Sequence, residues 1–295
     1  MEFRPFRVEL VTAFRGVTER YGVLIRGTAP DGSDAWGEYS PFPDYTPRRA
    51  TRWWAAAMEA ARGDWPEPIR DQVPVNAIIP ELPAMQAAAL ATASGCRTAK
   101  VKVGGLGSTL QDAARVEAVA AALGPGGRVR VDANGAWDVD DAVRALTELE
   151  MAARRGGIDG LEYVEQPCAT VADLAALRRR IDIPIAADES VRLPGDADAV
   201  VAADAADIIV LKVSPLGGVR ACLEIAERSG LPCVVSGAME SSVGLAAGIA
   251  LARSLPELPY ACGLGTGQLL ATDTVANTIV PVDGMLGPVT LDVIA

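Results

Sequence analysis

RVRVDANG, residues 128–135, runs a β-like alternation into an acid and then a turn, and the form returns twice downstream, as LEYVEQP at 161–167 and IPIAADES at 183–190. Each segment leaves a carboxylate where a short apolar run stops: Asp132, Glu165 and Asp188. Helical patterns lie between them. After Asp132, for instance, Ala142, Leu146, Leu149 and Ala153 recur on one helical face. Strands separated by helices pair in parallel, so the ends of successive strands converge in space. Further β-rich runs at 73–79, 98–103, 207–213, 233–236 and 260–262 complete a set of eight. The pattern predicts an α/β chain whose main body is a TIM-type (β/α) barrel over residues 73–263. A doubly wound open sheet is the alternative, and the barrel is preferred because the polar candidates come from many strands rather than one crevice.

Side chains alternate along a strand. Lys100 and Lys102 in AKVKVGG therefore share a face, as do Arg130 and Asp132, and Glu165 shares one with Leu161 and Tyr163, leaving Glu162 on the other. Lys212 in DIIVLKVSP ends the sixth barrel strand and faces the second across the mouth. Three acids would then meet Lys100, Lys102, Arg130 and Lys212. Burying so many charges is unfavourable unless they are paired or hold a metal. Taken singly, an acid at a strand end is more often a helix cap or a surface pair; the ordered trio is not so explained. Three carboxylates at one mouth suit a hard divalent cation such as magnesium, and an ammonium beside another cation, or desolvated, has a lowered pKa and can act as a base.

Composition narrows the chemistry. The 295 residues contain no histidine, which removes Ser-His-Asp and Cys-His nucleophile systems and HExxH zinc sites, and leaves proton transfer to Lys, Asp, Glu, Tyr or Cys. The net charge of −11 disfavours a nucleic-acid surface. Cys96, Cys168, Cys222, Cys233 and Cys262 show no CxxC spacing and read as reduced core thiols of a cytoplasmic protein. MEFRPFRVEL lacks the apolar stretch of a signal peptide, and no uncharged apolar run is long enough to span a membrane. No sticky helix is evident, and a monomer is expected.

Residues 1–72 read as a smaller α+β domain: strands at 6–11, 21–26 and 35–39, then Thr46-Pro47 as an N-cap and first helical position for a helix over 48–61. Residues 264–295 hold no clear helix, and VDGMLGPVTLDV reads as a short hairpin packing back on the N-terminal piece. The glycine runs at 104–107 and 263–267 match neither GxGxxG nor a Walker lysine and are read as flexible loops. Ser236-Gly237 offers a hydroxyl and an N–H to a substrate carboxylate, or is an ordinary strand-to-helix turn. Glu240 orients a neighbour or caps a helix, and Trp53-Trp54 is assigned to packing.

The ordered motifs KVKVGG, VRVDANGAW, YVEQP, IAADES and the lysine of IIVLKVSPLGG resemble the enolase superfamily, in its muconate-lactonising branch. The resemblance covers nearly the whole chain. It implies an α+β capping domain over a modified (β/α)7β barrel, with the C-terminal segment returning to the cap. It further implies that magnesium, held by Asp132, Glu165 and Asp188, binds a substrate carboxylate while a lysine removes the proton alpha to it, giving an enediolate. Lys102 would be the base and then the acid that helps a hydroxyl leave, and Lys212 would steady the enediolate. Arg130 and Lys100 would be supporting charges, and Asn134 and Glu189 would lie just behind the ligands. The short cap, SGAMESSVGL and ACGLGTGQLL are similar to the branch's dehydratases of menaquinone biosynthesis, which act on a succinyl-bearing cyclohexadiene carboxylate. The chain departs from the superfamily in its shortness, and in a loop at 14–20 that offers little of a lid.

The nearest rival is a racemase of N-acylamino acids or an epimerase of dipeptides on the same scaffold. Dipeptide epimerases of the branch carry an Asp-x-Asp after the eighth strand for the substrate ammonium; here the stretch is Cys262-Gly263-Leu264-Gly265. A Schiff-base aldolase using Lys212 as nucleophile would leave the three acids unexplained. A non-catalytic binding protein would have no use for the lysines.

Overall fold

The computed structural model describes residues 1–294 except Arg15 and Pro194, and all their side chains but those of residues 12–14. The loop expected at 14–20 is for the most part strand: one strand runs to Phe14 and the next begins at Val17, paired with it, and Arg15 itself lies outside the described residues. Three antiparallel strands open the chain: β1 (Glu2–Phe14), β2 (Val17–Thr28) and β3 (Asp34–Tyr39). Helix α1 (Pro47–Ala60) starts where Thr46 caps it, its hydroxyl accepting from the Arg49 N–H, with Pro47 just inside. Its apolar face, Ala50, Trp53, Ala56, Ala57 and Ala60, lies on that sheet. The contact is so close that a Cβ on Gly37 of β3 would stand 1.9 Å from the Ala57 carbonyl oxygen, so only glycine fits there. Trp53 is fully buried, with Phe42 and Tyr45 edge-on to it, and Trp54 stacks on Phe3; both tryptophans pack.

The second body begins with β4 (Val73–Pro74) and β5 (Asn76–Ile79), followed by α2 (Ala84–Ala93), β6 (Thr98–Lys102), α3 (Thr109–Leu123), β7 (Arg128–Asp132), α4 (Val139–Arg155) and β8 (Leu161–Glu165). It continues with α5 (Val171–Arg178), β9 (Ile185–Ala187), α6 (Asp196–Ala202), β10 (Ile208–Leu211), α7 (Val213–Leu216), α8 (Val219–Ser229), β11 (Cys233–Val235) and α9 (Ser242–Ser254). The sheet order runs β5 to β11 without reversal, all parallel, which rules out the doubly wound alternative. Helix starts carry the local signals: Ser108 and Gln111 form a capping box on α3, Asp138 caps α4 and Thr170 caps α5. Among the described residues no helix is long and apolar enough to cross a membrane. All five cysteines are free and buried.

Three strand expectations need correction. The run 73–79 is two strands, because Pro74 has no N–H to carry a ladder onward; β4 instead pairs antiparallel with β12 (Met285–Leu286), and only β5 joins the barrel sheet. The expected eighth strand, 260–262, is reduced to single bridges, Val75 to Cys262 and Ser236 to Gly263, and these link the two ends of the sheet. The C-terminal Asp283-Gly284 pair does make a tight turn, both residues at positive φ, but its arm lies on β4 rather than on the cap. Contact with the cap comes from elsewhere in the segment: Leu270 bridges to Leu10, and Leu270, Val275 and Val293 pack against Phe6, Val8 and Leu24.

Cap and barrel meet through two acids set at helix N-termini. Helix α8 begins on Gly218, which has no capping side chain; Glu59 of α1 takes its place, accepting from the N–H groups of Val219 (2.6 Å) and Arg220 (3.1 Å). Gly218 sits at φ +130°, and a Cβ there would lie 2.1 Å from the Glu59 carboxylate. Glu38 of β3 does the same for α9, accepting from the N–H of Ser241 and of Gly244 (3.0 Å), with hydroxyl bonds from Ser40 and Ser241, both 2.5 Å.

Candidate active site

Parallel register carries the acids and lysines to one end of the barrel. Lys100 of β6 lies opposite Arg130 of β7, Lys102 opposite Asp132, and Asp132 opposite Glu165 of β8. Asp188 and Lys212 follow immediately on the ends of β9 and β10. The turns that leave β7 and β8 pass through left-handed residues, Asn134 at φ 46° and Gln166 at φ 39°. Gln166 ties two of the acid-bearing segments together: its carbonyl accepts from the N–H groups of Asp188 (3.0 Å) and Ser190 (3.1 Å), and its amide donates to Ser190 Oγ (2.8 Å) and the Cys168 carbonyl (2.9 Å).

The charges interlock. Lys100 Nζ bridges Asp132 Oδ2 (3.1 Å) and Glu165 Oε1 (2.8 Å). Asp188 is held from both sides, Lys212 Nζ reaching Oδ2 at 2.8 Å and Arg192 taking Oδ1. Lys102 donates to the Asp132 carbonyl (3.3 Å) and to Asn134 Oδ1, and Asn134 in turn donates to Glu189 Oε1 (3.2 Å). Burial pushes Glu165 up to about 7, with Asp132 and Asp188 adding to the shift and Lys100 and Lys212 opposing it. Burial acts in the same sense on Asp188, but Arg192, Lys212 and Lys100 outweigh it and hold that carboxyl well below the usual range. Glu189 is raised by burial and by Asp188. Lys100 departs from the lowered pKa expected of a clustered ammonium. Burial does pull it down, but Asp132, Glu165 and Asp188 surround it and the net shift is upward.

A cavity of about 460 Å³ opens above these groups. Its lining includes Lys100, Lys102, Asp132, Asn134, Glu189, Arg192 and Lys212, together with Glu81, Ser236, Gly237, Gly263 and Thr266. Met239 and Leu269 add apolar surface, and Phe42 and Tyr45 close it from the cap side. Glu165 and Asp188 lie beneath, almost wholly buried.

Arg130 is not brought to the cavity. It is fully buried and donates to Glu162 Oε2 (2.8 Å), Tyr163 OH (2.8 Å) and the Ala261 carbonyl (2.7 Å). Glu162 thus meets an inward residue, against the expectation that it faces away. The cause is an irregular register between β7 and β8, where the chain advances from Leu161 to Val164 while its neighbour advances from Val129 to Val131. The extra residue breaks the alternation. Glu240 is an internal support: it accepts from Ser214 Oγ (3.1 Å) and the Ala238 N–H (2.6 Å). Sequence reasoning missed Arg192, Gln166, Phe42 and Tyr45. Arg192 and Gln166 are neighbours of recognised motifs, which is a usable signal; the cap residues gave none, since nothing local says which loop will overhang a barrel.

Among the described residues no group of three acids or thiols is arranged to hold a metal ion, and lysines and an arginine are paired with the carboxylates. The donor set nonetheless fits a hard divalent cation. Asp132 and Glu165 already share one cationic centre, the Lys100 ammonium, from adjacent strands, and Asp188 lies close enough to raise the Glu165 pKa.

Two family models match separate stretches of the chain. Residues 84–290 match the family model described as enolase C-terminal domain-like, and residues 6–61 the one described as enolase N-terminal domain-like. The chain is 57% identical to the o-succinylbenzoate synthase of Thermobifida fusca over 97% of its own length and 87% of the relative's. It is 51% identical to the o-succinylbenzoate synthase of Mycobacterium leprae over 98% and 82% of the two chains. Among solved structures, the L-Ala-D/L-Glu epimerase from Bacillus subtilis superposes with a TM-score of 0.83 at 24% identity, covering 99% of this chain and 96% of that one, and so speaks for the fold alone.

Proposed function

As the chain belongs to the enolase superfamily, we propose that it catalyses the o-succinylbenzoate synthase reaction: dehydration of a succinyl-bearing cyclohexadiene carboxylate to 2-succinylbenzoate, a step of menaquinone biosynthesis. Lys102 lines the cavity on one wall and takes the proton alpha to the ring carboxylate. The electron pair of that C–H bond is first delocalised onto the ring carboxylate, as an enediolate, and then becomes the new ring double bond as the C–O bond breaks. Lys102 returns its proton to the departing hydroxyl, so water leaves and the ring becomes aromatic. Lys212, on another wall, keeps a positive charge where negative charge collects on the carboxylate oxygens. Lys100 holds Asp132 and Glu165 in register, and Asn134 fixes the Lys102 ammonium between β6 and β7. Asp132, Glu165 and Asp188 would hold magnesium; bound there, the ion supplies Lewis-acid charge to the substrate carboxylate. Arg130 acts below the cavity, as a brace between β7, β8 and the Ala261 carbonyl.

The observation that carries this reading is the shape of the charge. Lys102 and Lys212 share one cavity with the acids Glu81, Asp132 and Glu189, while the stretch that follows the eighth strand, Cys262 to Gly265, carries no acid. That stretch offers no carboxylate to a dipeptide's ammonium, and the hydroxyl of Ser236 suits the oxygens of a succinyl arm. Two lysines at one cavity also permit racemisation of an N-succinylamino acid, which has no free ammonium, as a side reaction. The test is a steady-state comparison with saturating magnesium on the cyclohexadiene substrate, an N-succinylamino acid and a dipeptide. Dehydration is expected to have much the highest kcat/KM. Efficient dipeptide epimerisation without dehydration would overturn the assignment.

A further inference from the structure

Asp188 meets two cations where Asp132 and Glu165 each meet one, and Arg192 is the more firmly anchored of the two. Its guanidinium donates to Asp188 Oδ1 with one nitrogen, and with the other to the backbone carbonyls of Asp188 and, at 2.8 Å, of Val191. Its own N–H is pinned by Asp196 Oδ2 at 2.8 Å, the same oxygen that accepts from the Leu193 N–H at 2.6 Å. The side chain is 12% exposed and borders the cavity. Lys212, by contrast, reaches Asp188 through one contact to Oδ2, from the end of a flexible stem. An incoming cation can displace a single ammonium contact far more readily than a planar fork anchored at three oxygens.

We propose that Arg192 is a positioning residue: it fixes Asp188 in the orientation in which that carboxylate can share a divalent cation with Asp132 and Glu165. The inference rests on the metal reading given above. Lys212 is then free to leave Oδ2 and serve the substrate, while Oδ1 stays neutralised. Supporting partners of this kind commonly change metal affinity by about 10- to 100-fold.

The test is calorimetric titration of the full-length protein with magnesium, repeated with manganese read by electron paramagnetic resonance, on wild type, R192Q and R192K. For R192Q the expected result is a loss of affinity of about 10- to 100-fold, with the deficit in kcat shrinking as magnesium is raised. R192K keeps the charge but not the fork, and is expected to fall between; it carries the test if thermal melts show that R192Q does not fold. Wild-type affinity in both variants would overturn the proposal. So would unchanged metal affinity with a raised KM, which would make Arg192 a substrate contact instead. Wild-type protein that binds neither ion would remove the metal reading itself, a separate and recognisable failure.

Discussion

Two sets of acids wholly or partly withdrawn from solvent sit in this molecule, and they are neutralised in opposite ways. At the barrel mouth Asp132, Glu165 and Asp188 face the side chains of Lys100, Lys212 and Arg192. At the cap–barrel seam Glu38 and Glu59 face backbone N–H groups at the starts of α9 and α8. Both arrangements satisfy the carboxylates, and burial raises Glu165 and Glu38 alike to about 7. The difference lies in what can move. An ammonium on a four-carbon stem can withdraw and let another cation in, whereas a helix N-terminus cannot be withdrawn without unwinding the helix. Exchangeable partners make a site, and fixed partners make a joint.

If that contrast holds, the largest effects come from removing charge at the mouth. Chelation should abolish turnover and magnesium should restore it. Replacing Asp132, Glu165 or Asp188 by the amide should leave no measurable dehydration, since each change takes one charge from the cage and strands a buried cation. Full activity in exhaustively chelated protein would erase the distinction between site and joint. Next comes Lys102→Ala, for which a drop in kcat of about 10² to 10⁴ is expected, because no histidine is present to take over the proton. Near-normal dehydration in that variant would mean that the base is misassigned. Lys212→Ala should lose about 10² to 10³ in kcat, the scale for removing one group that stabilises developing charge. A change confined to KM would show that Lys212 only binds substrate.

Much of the mouth was legible from short-range pattern, and the seam was not. Alternation in AKVKVGG and RVRVDANG places Lys100, Lys102 and Asp132 on one face, and the register of β6 with β7 agrees. Alternation failed at Glu162, where an irregular register adds a residue, and such irregularities leave no mark in apolar periodicity. The eighth strand was over-read because barrel closure here needs only two bridges, at Cys262 and Gly263. Nothing local marks Glu38: its partners Ser241 and Gly244 are some two hundred residues away in the chain. Arg192 sits beside a recognised motif, yet its role depends on the loop after β9 folding back on Asp188, a matter of tertiary structure rather than of pattern.

The smallest expected effect tests the joint, and its sign can be worked out. Glu38 titrates near 7 in the folded protein, raised by burial against the bonds from Ser241 and Ser40, with Glu240 adding to the shift. In the unfolded chain it titrates near the ordinary glutamate value of about 4.3. Between those values the folded state binds more protons than the unfolded, so this group lowers stability as pH rises through that window, and the loss is complete above about 7. The full span corresponds to roughly 4 kcal/mol. Glu38→Gln cannot titrate, so wild type should lose about 3 kcal/mol of stability relative to the variant between pH 5 and pH 8, the part of the span that this window covers. Urea denaturation of both proteins at each pH measures the difference, and subtracting the variant removes the contribution of Glu165 and other shared groups. At constant pH the variant should keep its kcat for dehydration, because Glu38 touches α9 and not the cavity. Parallel stability profiles for the two proteins would mean that the N–H groups of Ser241 and Gly244 hold the carboxylate ionised throughout. The seam would then be an electrostatic bond of ordinary strength, and burial would not set its pH dependence.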